Sequence, residues 1–125
     1  MRNLLALLLV VCVAASCSRN KRPSDELSGD AESTLHVTNH GFSDVDVYVV
    51  HDGSRSRVGA VTATADQTFT LSPHVIGRSG TLQLIAHGVG TGISLGSEQF
   101  SVRPGGMQIE WTLDSNLSHG TLAIY

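Results

Sequence analysis

Three sets of residues in this chain have the types and spacing that chemistry requires. The run Val13-Ala14-Ala15-Ser16-Cys17 puts small side chains directly before a cysteine, so a peptidase that needs small residues ahead of its cut can cleave between Ser16 and Cys17. Gly92-Ile93-Ser94-Leu95-Gly96 spells G-x-S-x-G, whose glycines permit the strained strand-to-helix turn that exposes a serine nucleophile. Six histidines, His36, His40, His51, His74, His87 and His119, supply the side chain most used to ligate transition metals, and Asp44 and Asp46 follow soon after the first two.

The elements around these residues decide among the three. A serine elbow needs a strand before it, a helix after it and a doubly wound sheet around it, whereas here a Gly-rich stretch leads into another strand, so a flexible hairpin loop is expected. The glycines between positions 88 and 96 also lack the spacing of a dinucleotide fingerprint. His36 and His40 fall on one outward side of a strand, ~13 Å apart at about 3.3 Å per residue, too far to share a metal unless the chain bends at Asn39. A site assembled from His36, His40, Asp44 and Asp46 across strands is the metal-binding alternative; a solvated face with ordinary surface histidines is the plainer reading. Asp44, Asp46 and Asp52 raise a calcium reading, but Asp44 and Asp46 lack the Gly-containing loop of an EF-hand. No carboxylate pair, Ser-His-Asp set or Cys-His set is placed by a motif, and a protein that is not an enzyme is expected.

The amino terminus reads as an address. Met1-Arg2-Asn3 is short and basic, and residues 4–15 form an unbroken apolar run, shorter than the ~20 helical residues that span a bilayer core but suited to the h-region of a secretory signal. With Cys17 this resembles the lipobox of bacterial lipoproteins, although Ala14 stands where Leu is commoner. The resemblance implies a signal peptide over residues 1–16 and a mature chain that begins at Cys17 with a thioether-linked diacylglycerol. That covalent lipid is the only non-protein group expected, and through it the membrane becomes a partner without being spanned. Two or three acyl chains, at about 0.8 kcal/mol per buried methylene, would hold firmly where a single myristoyl chain is marginal. Ser18, where an Asp would favour inner-membrane retention, implies an outer-membrane location facing the periplasm or the cell surface. An ordinary secretory signal with an incidental cysteine is the alternative. Cys12 follows bulky Val10 and Val11 and leaves with the signal, so the mature chain has one cysteine and neither a disulfide nor a Cys-based zinc site. Residues 17–32 hold the lipidated cysteine and a polar tether with Leu27 as its one large apolar side chain, too little to offset the entropy of ordering.

Residues 33–125 alternate. Leu35 and Val37 interleave with polar neighbours, Val45, Val47 and Val49 oppose Asp46, Tyr48 and Val50, and Asp52-Gly53 suits a tight hairpin into a third run over residues 55–64. Phe69 and Leu71 mark a fourth run before Pro73; Leu82, Leu84 and Ala86 mark a fifth, Phe100 and Val102 a sixth. After Pro104-Gly105-Gly106, the row Met107, Ile109, Trp111 and Leu113 is the clearest inward face, and Leu122 with Ile124 ends the pattern. This predicts an all-β domain, a small immunoglobulin-like β-sandwich of seven or eight antiparallel strands with no helix and with Trp111 as core anchor. The segments Asn39-His40-Gly41-Phe42-Ser43-Asp44-Val45-Asp46-Val47-Tyr48, Arg57-Val58-Gly59-Ala60-Val61 and Glu98-Gln99-Phe100-Ser101-Val102-Arg103-Pro104-Gly105 are similar to a pattern in small bacterial envelope lipoproteins, and more faintly to extracytoplasmic immunoglobulin-like modules. That resemblance implies fold and location, not an activity.

Eight Lys plus Arg against 11 Asp plus Glu, a net charge of −3, leave no basic surface for phosphates, so nucleic acid is not an expected partner. An envelope protein or glycan is, bound through loops or a sheet edge, with Phe42 and Tyr48 as the aromatic contacts. Two functions stay open at this point: a lipid-anchored interaction or structural module of the envelope, and an envelope metal-binding protein that uses surface histidines.

Overall fold

The computed structural model describes residues 32–103 and 106–125. The expected signal, Cys17 and nearly all of the tether, and the Pro104-Gly105 part of the turn, lie outside the described residues. Where apolar residues alternate the chain is extended, because period-two patterning puts every second side chain on one face. β1 (Ser33–Asn39), β2 (Val45–His51), β5 (Thr81–Gly88) and β8 (Gln108–Leu113) each bury their alternate residues. β3 (Ser54–Val61), β4 (Asp66–Leu71) and β9 (Gly120–Ile124) are more exposed, as strands near sheet edges are. The described residues form two sheets, one ordered β4-β1-β8-β9 and the other β3-β2-β5-β6, with β7 (Phe100–Ser101) also on β5.

Four expectations need correction. Nine strands are present among the described residues instead of seven or eight, because Ser94–Gly96, expected as flexible loop, forms the short strand β6 against β5. Pairing is not antiparallel throughout, since β1 runs parallel to β8 with Val37 opposite Trp111. The third run ends at Val61 rather than at position 64. The chain also makes one helical turn, α1 (Pro73–Ile76), where Pro73 does break the fourth strand but its fixed φ suits the first turn of a helix; Gly77, at φ +75°, stops it.

The turn after β2 forms as expected. Asp52 and Gly53 both take positive φ, +48° and +75°, the backbone that matches the twist of a two-residue hairpin. The Asp52 carboxylate then accepts the backbone N–H groups of Arg78 (2.7 Å) and Ser79 (2.8 Å), tying the hairpin to the loop after α1.

The core lies between the sheets, with Leu35, Val37, Val47, Val49, Leu84, Ile109 and Leu113 fully buried and Trp111 1% exposed. On one side the sandwich closes. The Phe69 ring of β4 lies so close to Gly59 of β3 that a Cβ there would collide with it, and one extra residue, Val58, shifts the β2–β3 register beside that contact. On the other side β9 faces β6 and β7 across a groove.

Since Trp111 fills the space between the sheets, Trp111→Ala should cost about 3–5 kcal/mol of folding stability. Urea unfolding of the variant reads this directly, and a loss under about 1 kcal/mol would show that another residue anchors the core.

Candidate functional site

β1 leaves the sheet at Asn39, and from there the fold gathers four loops at one end: residues 40–44, 62–65, 89–93 and 114–119. Asn39 is 1% exposed and is satisfied by these loops. Its amide nitrogen donates to the carbonyls of Ser43 (2.9 Å) and Thr62 (3.3 Å), and its Oδ1 accepts the Gly41 N–H at 2.8 Å. Gly41 is itself buried, with the Asn39 Oδ1 and the Ser115 carbonyl where a side chain would begin. Further bonds join the loops: Ala63 N–H to Asp44 Oδ1 at 2.9 Å, Thr64 N–H to the Gly41 carbonyl at 2.9 Å, and Val89 N–H to the Asp44 carbonyl at 2.8 Å.

On this tied base stand three exposed apolar side chains, Phe42 (84% exposed), Val89 (49%) and Ile93 (48%). Phe42 and Ile93 flank a cleft of about 150 Å³ that Asn39, Gly41, Asn116 and Leu117 also line. Leu117 is buried and held at φ +55°, a left-handed backbone that costs a branched side chain roughly 1 kcal/mol or more. The loop keeps it there through Asp114, whose carboxylate accepts the Ser118 N–H (2.9 Å) and hydroxyl (2.7 Å). The Ser118 hydroxyl, followed by the backbone N–H groups of His119 and Ser118, holds the Asp114 carboxyl below its ordinary value.

The residues singled out from sequence are dispersed over the domain. Phe42 is at the loop end. Tyr48 is half-buried on the outer face of the other sheet, with the Arg55 guanidinium 3.8 Å from its ring centre, so the two aromatics do not form one surface. His36 bonds Thr68 Oγ1 at 2.9 Å and lies 3.6 Å from Asp66, while His40 is exposed just beyond β1. Asp44 serves the Ala63 N–H, and Asp46 pairs with Arg57 at 2.7 Å. Among the described residues no three His, Cys, Asp or Glu side chains gather as metal ligands would. Cys17 lies outside the described residues.

The G-x-S-x-G serine has a partner that sequence spacing did not reveal. Ser94 Oγ lies 2.7 Å from His87 Nδ1, and His87 is directly across from Asp46 on β2. The three residue types thus share one row on a sheet face. Asp46 is engaged by Arg57, and the chain continues from Ser94 as strand instead of helix, so the elbow geometry is not formed. Val89, Ile93 and Leu117 were missed as site residues because their grouping depends on which loops share an end; a run of Gly around two apolar residues was the available signal.

No family model matches the chain, and no curated protein is similar to it. Among solved structures, a protein from Eubacterium rectale determined by NMR is similar with a TM-score of 0.47 and 15% identity, over 78% of this chain and 90% of that one. A Gram-negative toxin crystal structure is similar with a TM-score of 0.38 and 13% identity over 76% of this chain, which spans 23% of the toxin chain. Neither likeness assigns a site.

Two outcomes follow from this geometry. Because the Asp114 carboxyl is lowered when folded, its bonds to Ser118 are fully present above the unfolded-state value of about 3.9 and are lost as pH falls through the lowered folded value. The Ser118 amide resonance should therefore be flat from neutral pH to about pH 5 and titrate with a midpoint below about 3.9; a midpoint above that would contradict the bonding. Asn39→Ala should destabilise by about 1–3 kcal/mol, since it strands buried backbone groups, and the amides of residues 41 and 63–64 should lose protection from hydrogen exchange first.

Proposed function

We propose that this chain is a non-enzymatic, lipid-anchored protein of the bacterial cell envelope, in which an immunoglobulin-like sandwich acts as an interaction module. The finer class of the sandwich rests on its two layers, its single core tryptophan and its size near the ~100 residues usual for such modules. The anchor rests on the lipobox-like run ending at Cys17, and Ser18 supports the outer membrane. The observation that carries the interaction role is polarity along the domain. The chain enters at Ser33, and the seven residues of β1, at about 3.3 Å each, set Phe42, Val89 and Ile93 roughly 20 Å away at the opposite end. A tether at Ser33 would thus hold the apolar loops away from the bilayer, toward an envelope protein or glycan.

The test has two readouts on protein extracted from its own envelope. The denatured mass should match a chain starting at an acylated Cys17; an unmodified chain with another start would sink the anchor. A partner retained in native mass spectra should be lost in Phe42→Ala, with the unfolding free energy unchanged to within about 0.5 kcal/mol because the ring is exposed. Retention of that partner by Phe42→Ala and Ile93→Ala alike would move the contact surface elsewhere.

A further inference from the structure

The open side of the sandwich has features that the loop end does not use. Between β9 and the segment from β6 to β7 runs a groove of about 610 Å³, within the ~300–1,000 Å³ range of ligand sites. One wall is β9, an edge strand among the described residues, and its hydrogen-bonding capacity follows from the ladder. Gln108 and Tyr125 exchange both backbone bonds (3.2 and 2.9 Å), so Glu110–Ala123 and Thr112–Thr121 are the next bonded pairs. Gly120, Leu122 and Ile124 consequently turn their N–H and C=O groups outward, and all three line the groove. The side chains of Leu122 and Ile124 face the same side as their cross-strand partners Trp111 and Ile109, into the gap between the sheets.

Two further observations point to an occupant. Trp111, although 1% exposed, also lines the groove, and its Nε1 lies beside Gly120, where a side chain would displace it. An indole N–H on a groove wall is a donor directed at whatever fills the groove. Secondly, Gly-Thr-Leu-Ala-Ile-Tyr carries none of the charges, prolines or bulges that guard exposed edges, whereas β3 and β4 cover one another on the closed side.

We propose that this groove takes up an extended peptide segment of a partner chain, which adds as a strand on β9, accepts a hydrogen bond from the Trp111 indole and places alternate apolar side chains between the sheets. Glu98 is the one formally charged residue on the groove wall, so the matching peptide carries Lys or Arg beside its apolar positions. Edge-to-edge pairing with a second copy would use only the five residues of β9 and leave the gap and the indole N–H unfilled. The proposal depends on neither Cys17 nor Phe42.

The full chain should be screened against a library of random hexapeptides, with emission and the indole N–H resonance of Trp111, its single tryptophan, as reporters. Binders should carry a basic residue beside alternating apolar ones, shift both reporters, and lose about tenfold in affinity in Ile124→Pro, which removes an outward N–H and leaves the bonds to β8 in place. Glu98→Lys, at an exposed position, should weaken the same peptides without touching the fold, and Phe42→Ala should not affect them. Absence of any binder at millimolar peptide, or binders indifferent to both Ile124→Pro and Glu98→Lys, would overturn the proposal. A dimer in sedimentation that Ile124→Pro makes monomeric would overturn it in favour of a second copy.

Discussion

Pairing β1 with β8 in parallel joins Ser33 to Met107 across 74 positions of chain, through the Met107 N–H to Ser33 Oγ bond and the ladder that follows it. Because the two strands run the same way, the loops that follow them emerge at the same end. This puts Phe42 near Asn116 and Leu117, and it sets Trp111 beside Val37 in the centre of its sheet. An antiparallel pairing would have sent residues 114–119 to the end where the chain enters, and no apolar loop cluster would exist. The pairing has a kinetic cost, since closing so long a loop precedes the contacts that stabilise it.

What the sequence made legible was whatever repeats with period two or depends on adjacent residues. The Val45, Val47, Val49 row and the Met107 to Leu113 row face inward as read, and Asp52-Gly53 turns where turn chemistry says it must. β6 was illegible for a physical reason: three residues, the last a glycine, cannot display alternation, and they are extended against the edge that β5 offers. Strand direction was illegible too, because alternation looks the same whichever way a partner runs. The site was half legible. Phe42 stood out as an aromatic at a loop tip, but Val89 and Ile93 join it only through the topology, and no short-range pattern would have linked Ser94 to His87.

The two sides of the sandwich solve the same edge problem differently. At β3 and β4, a glycine and a phenylalanine interlock and the extra residue Val58 shifts one strand's register, so the edges shield each other. At β9 the equivalent glycine, Gly120, lies against the Trp111 indole, and among the described residues no strand of the opposite sheet pairs with it. One residue type therefore serves to seal one side and to bring a hydrogen-bond donor to the surface of the other.

The loop end shows the complementary strategy, in which rigidity is built beneath an exposed apolar group. A buried Asn is an expensive way to shape loops, because its polar groups must be fully satisfied away from water, and the Asp114 carboxylate adds to it by accepting two exposed bonds from Ser118. Beyond what the Asn39 bonds contribute to folding, such ordering adds little to a core already filled by Trp111 and the valine rows. It matters when the surface above it has to bind. A contact patch whose backbone is fixed beforehand loses less conformational entropy on association, so Phe42, Val89 and Ile93 can yield more of their burial as affinity than they would on a mobile loop.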